Sequence, residues 1–540
     1  MSTLFFFGFM ASLLISMALL PPLRASASRF HFLDIPDARK VHATPIAKIG
    51  GLAFGAGTFS AILMWTPKEE AVVGALIGGL VILAFGAWDD RVCLGYKAKF
   101  TGQFLAAGLA ILIGDIRLHT LPFFGDSPLP FVVAMPLTVI FIIGVTNAIN
   151  LADGLDGLAG GLSFLSFAAI GYLAYAGGDT VLTLLVLSLL GGLLGFLRFN
   201  TYPARIFMGD AGSQFLGFYL AIFSLILTDP ARGPYSFLLT FLLLGLPLLD
   251  TIGVFTQRIM EKRSPFIADK NHLHHRLLSV GLSHREAVVL IYLIQFCLIG
   301  LAIVLRWYSD GVLLAAFLLA ICSILAIFTL NVHITVAPYL RSTRHAFTQI
   351  LSNVERHHWV SGVPIRALAV MTPCFLGISA LWPALVPHDI AYVSIALAVA
   401  LVATLRGLRP YIHIIVRVSL YVGTVAIMYL GALASHPMTH KPMNAYLIVL
   451  AILVALTIRF GEGHRFQATP LDYLMGFLAL VIPTLPELHV GVVNMGLLTA
   501  KIIVLLFAIE LLLHAFARRI VHLAYLALWI HLALAVRGLL

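Results

Sequence analysis

Residues 71–92 read AVVGALIGGLVILAFGAWDDRV, an apolar run that ends in two aspartates and an arginine. The run is about 18 residues long, close to the minimum for a helix that crosses the hydrocarbon core of a bilayer. Because lipid offers no hydrogen-bond partners to backbone amides, a segment of this kind must be helical. The stretch therefore predicts a transmembrane helix whose polar end, Asp89-Asp90, lies at a membrane surface.

Similar apolar runs recur along the whole chain of 540 residues, of which 60% are hydrophobic and 11% charged. Soluble domains average about 25% charged residues and their cores stop growing at roughly 250–300 residues, so lipid must surround most of this chain. We expect an all-α fold, a polytopic transmembrane helix bundle with about 17–18 spans in two bundles. The expected spans are residues 4–23, 49–65, 71–88, 100–114, 131–148, 160–177, 181–197, 212–228, 236–255, 286–306, 312–330, 367–386, 389–405, 414–434, 445–459, 471–485, 491–513 and 519–535.

The net charge of +10 is explained by topology, because the cations of the first half are concentrated in alternate loops. Loops rich in lysine and arginine remain on the cytoplasmic side of a membrane. We therefore assign these loops to the cytoplasm and expect a lipid bilayer, and no nucleic acid, as the partner of the chain. The cations are Arg24, Arg29, Arg39, Lys40, Lys48, Arg91, Lys97, Lys99, Arg198, Arg205, Arg258, Lys262, Arg263, Lys270 and Arg276.

The spans are expected to fall into two domains. Residues 1–330 would form a first bundle of about eleven helices, and residues 367–540 a second membrane domain whose role the sequence does not indicate. Residues 331–366 contain several arginines and two adjacent histidines with few apolar runs, which predicts a basic cytoplasmic linker.

Acidic residues of the first bundle gather in the loops assigned to the cytoplasm. Asp89 and Asp90 would repel each other at a membrane surface and need cations or a metal to remain ionised, unless they only form a solvated helix end. In the next loop Asn147, Asn150, Asp153 and Asp156 recur every three residues. On a helix this spacing places successive side chains on one surface, which turn-forming residues alone would not require. Both clusters are candidate functional sites.

Two further loops supply a candidate metal ligand and candidate anion ligands. Asp210 lies among glycines at a predicted helix start, where it could be an N-cap or could bind a hard divalent cation such as Mg²⁺ or Mn²⁺. His272, His274 and His275 lie among cations and predict a phosphate-binding surface. A zinc site is the alternative, although no cysteine accompanies these histidines.

Five motifs within residues 1–330 resemble the polyprenyl-phosphate N-acetylhexosamine-1-phosphate transferase superfamily, glycosyltransferase family 4. Residues 331–540 are not covered by the resemblance. The motifs are Asp34-Ile-Pro36…Arg39-Lys40-Val-His42…Pro45…Gly50-Gly51, then Asp89-Asp90, the stretch 147–161, Phe207-Met208-Gly209-Asp210-Ala-Gly-Ser213, and Pro265-Phe266…Asp269…His272-Leu-His274-His275-Arg276. One departure is Lys48, where arginine is common; lysine keeps the charge but lacks the planar fork of a guanidinium.

The resemblance implies transfer of N-acetylhexosamine 1-phosphate from a UDP-N-acetylhexosamine to undecaprenyl phosphate, with release of UMP. The histidine motif is more similar to the bacterial branch that transfers GlcNAc-1-phosphate for O-antigen, common-antigen and teichoic-acid synthesis. Another UDP-amino sugar or phospho-MurNAc-pentapeptide is the alternative donor. The resemblance also implies a multi-pass protein of the bacterial inner membrane with cytoplasmic active-site loops. A homodimer, which the second bundle could stabilise, is a further expectation.

The resemblance also implies roles for individual residues. Asp89 would be the base that deprotonates the lipid phosphate, with Asp90 beside it as a second catalytic residue, and Asp210 would hold Mg²⁺, with Mn²⁺ as the alternative. We favour direct attack of the lipid phosphate over a covalent aspartyl intermediate, which the sequence does not decide. The substrates would be bound by Lys99, Asn150, Asp153, Asp156, Asn200, Phe207, His272, His274, His275 and Arg276.

A membrane transporter is the alternative from another functional class. Lys501 and Glu510 lie inside predicted spans of the second bundle, where ionisable side chains are usually functional. The carboxylates of the first bundle lie in loops instead, and this arrangement favours an enzyme that works at the membrane surface.

Overall fold

The computed structural model describes residues 2–35, 44–125, 127–262, 272–329, 358–381, 386–407, 411–434, 437–460, 469–481, 489–490 and 493–539. Three parts of the sequence predictions lie outside these residues. They are the segment 36–43 with Arg39, Lys40 and His42, the segment 263–271 with Pro265 and Asp269, and most of the linker predicted at 331–366.

The described residues form two compact units, drawn from residues 1–338 with 469–471 and from residues 339–468 with 472–540. The first unit contains twelve described helices and three short strands. Its helices are α1 (Ser2–Ser26), α2 (Gly50–Trp65), α3 (Glu70–Val92), α4 (Tyr96–Gly114), α5 (Phe131–Ala152), α6 (Leu158–Ala176), α7 (Thr180–Asn200), α8 (Gly209–Leu227), α9 (Leu239–Met260), α10 (Leu273–Ser279), α11 (His284–Leu305) and α12 (Asp310–Thr329).

Helix α8 is the central element of the first unit. It contacts α2, α3, α5, α6 and α7, and every residue from Ala211 to Leu227 is buried. A helix that is apolar on all sides is stable only when other helices surround it. Close contact is achieved through small residues: a Cβ atom added to Gly217 would lie 2.6 Å from the Cα of Thr146 on α5. The packing therefore fixes α8, and with it the polar residues at its N-terminus.

Three short strands connect the chain before α2 to the chain before α8. They are β1 (Leu33–Asp34), β2 (Ile46–Lys48) and β3 (Ile206–Phe207). β1 pairs antiparallel with β2, and β2 pairs parallel with β3 so that Lys48 is opposite Phe207. The backbone N–H of Gly51 extends the connection by donating to the carbonyl of Met208 at 3.0 Å. This small sheet brings Lys48 next to the start of α8.

Helix α9 is broken inside the bundle at Gly245, which has φ +28° and ψ −106°, two residues before Pro247. Lipid cannot satisfy the backbone groups that such a break releases, so a neighbouring side chain must do so. Gln295 of α11 has this role: it accepts from the N–H of Leu246 at 2.8 Å and donates to the carbonyl of Leu243 at 2.9 Å. The second part of α9 carries Asp250 towards α10.

The second unit contains seven described helices and a two-stranded sheet formed by β4 (His489–Val490) and β5 (Val493–Asn494). Its core is built from aliphatic side chains such as Leu420 and Leu505. One ion pair joins two of its spans, between Arg417 Nε and Glu510 Oε1 at 3.0 Å. The helices are α13 (His358–Ser379), α14 (His388–Arg406), α15 (Ile412–Ala434), α16 (Pro437–Phe460), α17 (Pro470–Val481), α18 (Met495–Ala515) and α19 (Ile520–Leu539).

The expected all-α membrane fold is confirmed. Among the described residues, 13 helices are long and apolar enough to cross a membrane, and three shorter apolar helices lie at Gly50–Trp65, Asp310–Ser323 and Pro442–Ile458. A helix overlaps each of the spans expected from the sequence. The sequence did not predict the short helix α10 or the strands, because elements of two to seven residues carry no periodic pattern.

Replacing Gly217 with alanine is expected to destabilise the first unit by about 1–3 kcal/mol, because the new methyl group would overlap the backbone of α5. The matched control is Gly144→Ala on α5, since a Cβ atom there meets nothing within 4 Å. Thermal unfolding of the two purified variants in detergent measures the difference. Equal unfolding temperatures for both variants would contradict the close packing of α5 on α8.

Candidate active site

Four helices of the first unit bring Asp89, Lys99, Asn150 and Asp210 together. They come from the last turn of α3, the first turn of α4, the last turn of α5 and the first turn of α8. Lys99 Nζ lies 2.5 Å from Asp89 Oδ2 and 3.4 Å from Asp210 Oδ2. The Asn150 amide donates to Asp210 Oδ1 at 2.6 Å. The carboxylates of Asp89 and Asp210 lie close enough to repel each other because both contact the same ammonium group, and the positive charge of Lys99 stabilises the ionised form of both.

Asp89 is buried, with 3% of its surface exposed. Its Oδ1 accepts from the backbone N–H of Leu94 at 2.6 Å, just after α3 ends at Cys93 in the left-handed conformation. Its other oxygen contacts Lys99. The backbone therefore holds one oxygen of Asp89 in place and directs the other towards the lysine and Asp210.

Asp90 points in a different direction and caps the N-terminus of α8. Its Oδ1 and Oδ2 accept from the backbone N–H groups of Asp210 and Ala211, each at 2.9 Å. Lys48 Nζ lies 3.6 Å from Oδ1. The first N–H groups of a helix have no partner within the helix and are partly positive, so a carboxylate is well suited to bind them. Asp90 thus fixes the backbone that carries Asp210, whereas Asp89 contacts the Asp210 side chain's own partner, Lys99.

Gly209 makes this cap possible. Its φ is +70°, and a Cβ atom on it would lie 2.3 Å from Asp90 Oδ2. A larger residue would be strained by that φ and would displace the carboxylate. Asp210 itself, the second residue of α8, is not the N-cap, which is Met208. Its side chain is left to contact Lys99 and Asn150.

Buried amides continue the network below Asn150. Gln103 of α4 lies between Asn147 of α5 and Gln214 of α8: it accepts from Asn147 at 2.8 Å and donates to Gln214 at 3.1 Å. Asn150 also donates to the hydroxyl of Ser213 at 2.8 Å. Each of these polar groups is paired inside an apolar bundle, where an unpaired group would be costly. The chain of amides holds α4, α5 and α8 in register under the carboxylates.

The stretch 147–157 is only partly helical, and here the prediction of one helical surface was wrong. Helix α5 ends at Ala152, so Asn147 and Asn150 are helical while Asp153 and Asp156 lie in the turn before α6. Gly157, with φ +79°, closes that turn in a conformation that glycine adopts readily. The three-residue spacing thus continues past the end of the helix.

Asp153 is partly buried in that turn, and three other carboxylates lie close enough to affect its pKa. Burial, followed by the nearby carboxylates of Asp210, Asp90 and Asp156, raises its pKa from the ordinary 3.8 to about 8. An excess of carboxylates relative to cations is what a divalent cation would relieve.

The side chains present fit a magnesium ion bound together with its substrate. Mg²⁺ prefers carboxylate oxygens and is usually held by one or two of them plus substrate phosphates. No group of three or more His, Cys, Asp or Glu side chains arranged for a metal occurs among the described residues. Asp210 and Asp89 supply two carboxylates, the number with which Mg²⁺ is held when substrate phosphates complete its ligands.

Asp156, Asn200 and Phe207 lie beside this centre and are tied to the backbone. Asp156 accepts from the N–H of Ala204 at 2.9 Å. Asn200 is buried; it accepts from the N–H of Gly157 at 3.0 Å and donates to the carbonyl of Ile206 at 3.0 Å. Phe207 lies on β3. These contacts join the turn after α5 to the chain before α8.

The histidine cluster is placed against the same turn by α10. His272 is buried and its Nδ1 lies 2.8 Å from Asp250 Oδ2. His274 is buried as well, and burial, followed by the charge of His275, lowers its pKa from 6.5 to about 4. It is therefore neutral at pH 7. His275 and Arg276 are half-buried, and Arg276 donates to Gln257 at 2.5 Å. The expected phosphate contacts thus belong to a cluster whose first members face the protein.

Sequence reasoning assigned no role to four side chains that the structure places in or beside the site, namely Lys48, Gln103, Ser213 and Asp250. Two of them were detectable by spacing, because Gln103 and Ser213 follow Lys99 and Asp210 by one helical turn. Asp250 is the one acidic residue in the span predicted at 236–255, and an ionisable group in a span is a functional candidate.

Replacing Asp153 with asparagine is expected to flatten the dependence of stability on pH. Because the folded pKa of about 8 exceeds 3.8, the stability from this group is complete below pH 3.8 and is lost as pH rises through 8. D153N should therefore be more stable than the wild type at alkaline pH by about 1–3 kcal/mol, since the group is partly solvated. Thermal unfolding without added metal, from about pH 5 to pH 9, measures this. Parallel curves for the two proteins would contradict it.

The chain is similar to curated bacterial transferases over about half of its length. The probable undecaprenyl-phosphate N-acetylglucosaminyl 1-phosphate transferase of Bacillus subtilis is 38% identical over 304 residues, 55% of this chain and 84% of the relative. The undecaprenyl-phosphate alpha-N-acetylglucosaminyl 1-phosphate transferase of Escherichia coli K12 is 31% identical, over 55% of this chain and 83% of the relative. The decaprenyl-phosphate N-acetylglucosaminephosphotransferase of Mycolicibacterium smegmatis is 34% identical, over 50% and 74%.

The family model for glycosyl transferase family 4 matches residues 72–228. That range contains Asp89, Lys99, Asn150 and Asp210, the four side chains that meet in the structure. The alignment with the Bacillus protein extends beyond it to most of that relative's length. The chain therefore belongs to glycosyl transferase family 4, the polyprenyl-phosphate N-acetylhexosamine-1-phosphate transferase superfamily.

Proposed function

We propose that the protein transfers GlcNAc-1-phosphate from UDP-GlcNAc to undecaprenyl phosphate and releases UMP. The observation that carries the proposal is the position of Lys99 Nζ between the carboxylates of Asp89 and Asp210, with Asn150 on the other side of Asp210. Phosphoryl transfer depends mainly on positioning and on neutralising charge, and this arrangement provides both. The three relatives described above, each a polyprenyl-phosphate transferase of N-acetylglucosamine phosphate by name, support the same reaction.

In this reaction an oxygen of the lipid phosphate attacks the β-phosphorus of the donor. The bond from that phosphorus to the bridging oxygen breaks, and UMP leaves with the electron pair. Asp89 would act as the base, because the contact from Leu94 fixes one of its oxygens while the other lies at the centre of the site. Lys99 would neutralise the phosphates as they approach, since its ammonium is the cation shared by both carboxylates.

We propose Mg²⁺ as the cofactor, with Mn²⁺ as the alternative, held by Asp210 with help from Asp89, while the amide of Asn150 keeps Asp210 in position. When bound, the ion would neutralise phosphate charge and stabilise the leaving group. The geometry that supports this is the cap formed by Asp90, which fixes the first turn of α8 and so presents Asp210 to the centre.

The donor's nucleoside side is proposed to lie over the turn formed by residues 153–157. Asp153 and Asp156 belong to this turn, and Asn200 and Tyr292 hold its backbone: Asn200 accepts from the N–H of Gly157 and the Tyr292 hydroxyl donates to its carbonyl at 2.6 Å. A rigid turn of this kind can present backbone groups to a ligand with little loss of entropy.

We further propose that the protein lies in the bacterial inner membrane with this site facing the cytoplasm, where it would start a cell-envelope polysaccharide such as O-antigen. The positive loops support this orientation. Another UDP-amino sugar or phospho-MurNAc-pentapeptide is the alternative donor, and a homodimer is a further proposal. The transporter alternative rests on Lys501 and Glu510 of the second unit. Lys501 is buried and Glu510 is paired with Arg417, and the family relationship does not favour this alternative.

Purified protein is expected to release UMP from UDP-GlcNAc when Mg²⁺ and undecaprenyl phosphate are both present. Asp210→Asn should lower turnover at least about 100-fold, because it removes the charged cation ligand, and should leave membrane insertion unchanged. The matched control is Asp115→Asn, an exposed aspartate after α4 in the left-handed conformation that asparagine tolerates. No UMP from any UDP-amino sugar would contradict the proposed function.

Direct attack predicts that UMP release requires the lipid acceptor. Without undecaprenyl phosphate, a rapid-quench experiment at enzyme concentrations near that of the donor should show no burst of UMP. A burst that approaches one UMP per protein, followed by transfer when lipid is added, would instead indicate a covalent aspartyl intermediate.

A further inference from the structure

Asp250, which lies outside all five sequence motifs, caps the short helix α10. Its Oδ1 accepts from the backbone N–H of Leu273 at 2.8 Å, and its Oδ2 lies 2.8 Å from Nδ1 of His272. Leu273 is the first residue of α10 and His272 its N-cap. Helix α10 has seven residues and no side-chain cap of its own, so it depends on Asp250 to satisfy its N-terminus.

This arrangement repeats the one at α8. In both places an aspartate from another helix binds the first turn of a helix that carries a group of the site. Asp90 fixes the backbone of Asp210, and Asp250 fixes that of His274. The two aspartates therefore act through the helices they cap.

His274 transmits the position of α10 to the turn after α5. A Cβ atom added to Gly154 would lie 2.2 Å from His274 Nε2 and 2.6 Å from its Cε1, so the ring packs directly on the glycine. The ring is buried, and its neighbours on α10 are other imidazoles, with His275 4.3 Å away between ring centroids. The His274 side chain thus fills the space between α10 and the turn after α5.

The position of α10 is also fixed from the opposite end. Arg276 donates to Gln257 of α9 at 2.5 Å, and α10 packs on α11. Asp250 and Gln257 both lie after the break at Gly245, so the second part of α9 holds α10 at two points. Loss of Asp250 would release one of these two points.

We propose that Asp250 is a positioning residue for the donor: by capping α10 it seats His274 against Gly154 and so fixes the turn 153–157. This inference rests on the proposed function, in which that turn receives the UDP-sugar. In this proposal Asp250 acts through α10, which it contacts at His272 and Leu273, and not by direct contact with the donor. We therefore expect its loss to weaken donor binding.

The test compares Asp250→Ala and Asp250→Asn with a matched control, Asp179→Ala. Asp179 also caps a helix, accepting from the N–H of Leu182 at 2.9 Å, and its other carboxylate oxygen lies 3.3 Å from a guanidinium nitrogen of Arg232. Its side chain is 12% exposed and that of Asp250 is 15% exposed. Asp179 is the N-cap of α7, and the turn between α6 and α7 to which it belongs contains no site residue. The control therefore reports the general cost of losing a cap.

We expect D250A to raise the KM for UDP-GlcNAc at least about tenfold, with kcat and the KM for undecaprenyl phosphate within about threefold of wild type. D250N keeps one acceptor oxygen and should lie between D250A and wild type. D179A should leave the donor KM unchanged. Equal donor KM values for D250A and D179A would overturn the inference.

Coupling through α10 is tested with Gly154→Ala, alone and combined with D250A. Alone, the added methyl group should raise the donor KM severalfold, because the seated His274 ring cannot move away. Once α10 is released the ring can yield, so the double variant should be no worse than D250A. Fold-changes that multiply would show that Asp250 and Gly154 act independently, against the proposal.

Hydrogen exchange of the unliganded protein gives a readout that does not need activity. D250A should accelerate amide exchange in α10 and equally in residues 153–157, whereas D179A should affect neither. Faster exchange in α10 alone would overturn the inference even if turnover is never observed. A wild type that releases no UMP would count against the proposed function only.

Discussion

The carboxylate of Asp90 at the N-terminus of α8 is the interaction on which the site depends. α8 is buried along its length and therefore has no freedom to adjust once its neighbours are packed. Its first N–H groups would be unsatisfied inside the bundle without Asp90, which accepts from two of them. One buried charge thus stabilises the central helix and sets the direction in which Asp210 leaves it.

The surrounding polar residues follow from this constraint. A site at the membrane surface must hold several like charges close together, and here each carboxylate has a specific partner: Asp89 has Lys99, Asp90 has the backbone of α8, and Asp210 has Asn150. Amide side chains such as Gln103 take over where the helices enter the apolar layer. The polar groups of the site thereby lie together at one end of the first unit, where a water-soluble donor and a lipid acceptor could meet.

The sequence was informative where a physical property repeats over many residues. Long apolar runs predicted each of the long apolar helices in the described part of the chain, and acidic motifs in positive loops predicted which helix ends would carry several carboxylates. The sequence did not predict which residue each side chain contacts. Nothing in Asp89-Asp90 shows that Asp89 contacts Lys99 while Asp90 caps α8, because that depends on how α3 is rotated against α8. The turn at Asp153 and the pairing of Asp250 with α10 were likewise set by tertiary contacts between residues far apart in the chain.

The break in α9 depends on Gln295, a residue that lies outside the site. One amide, that of Gln295, serves Leu246, Leu243 and Ser166 at once. Glutamate could not donate, and an apolar residue would remove the partner of the Leu246 N–H in a layer without water, while Ser166 and the Leu243 carbonyl would keep only their bond to each other. We therefore expect few residues other than glutamine to be tolerated at position 295, as at a substrate contact. The reason is the architecture of α9 and not the reaction.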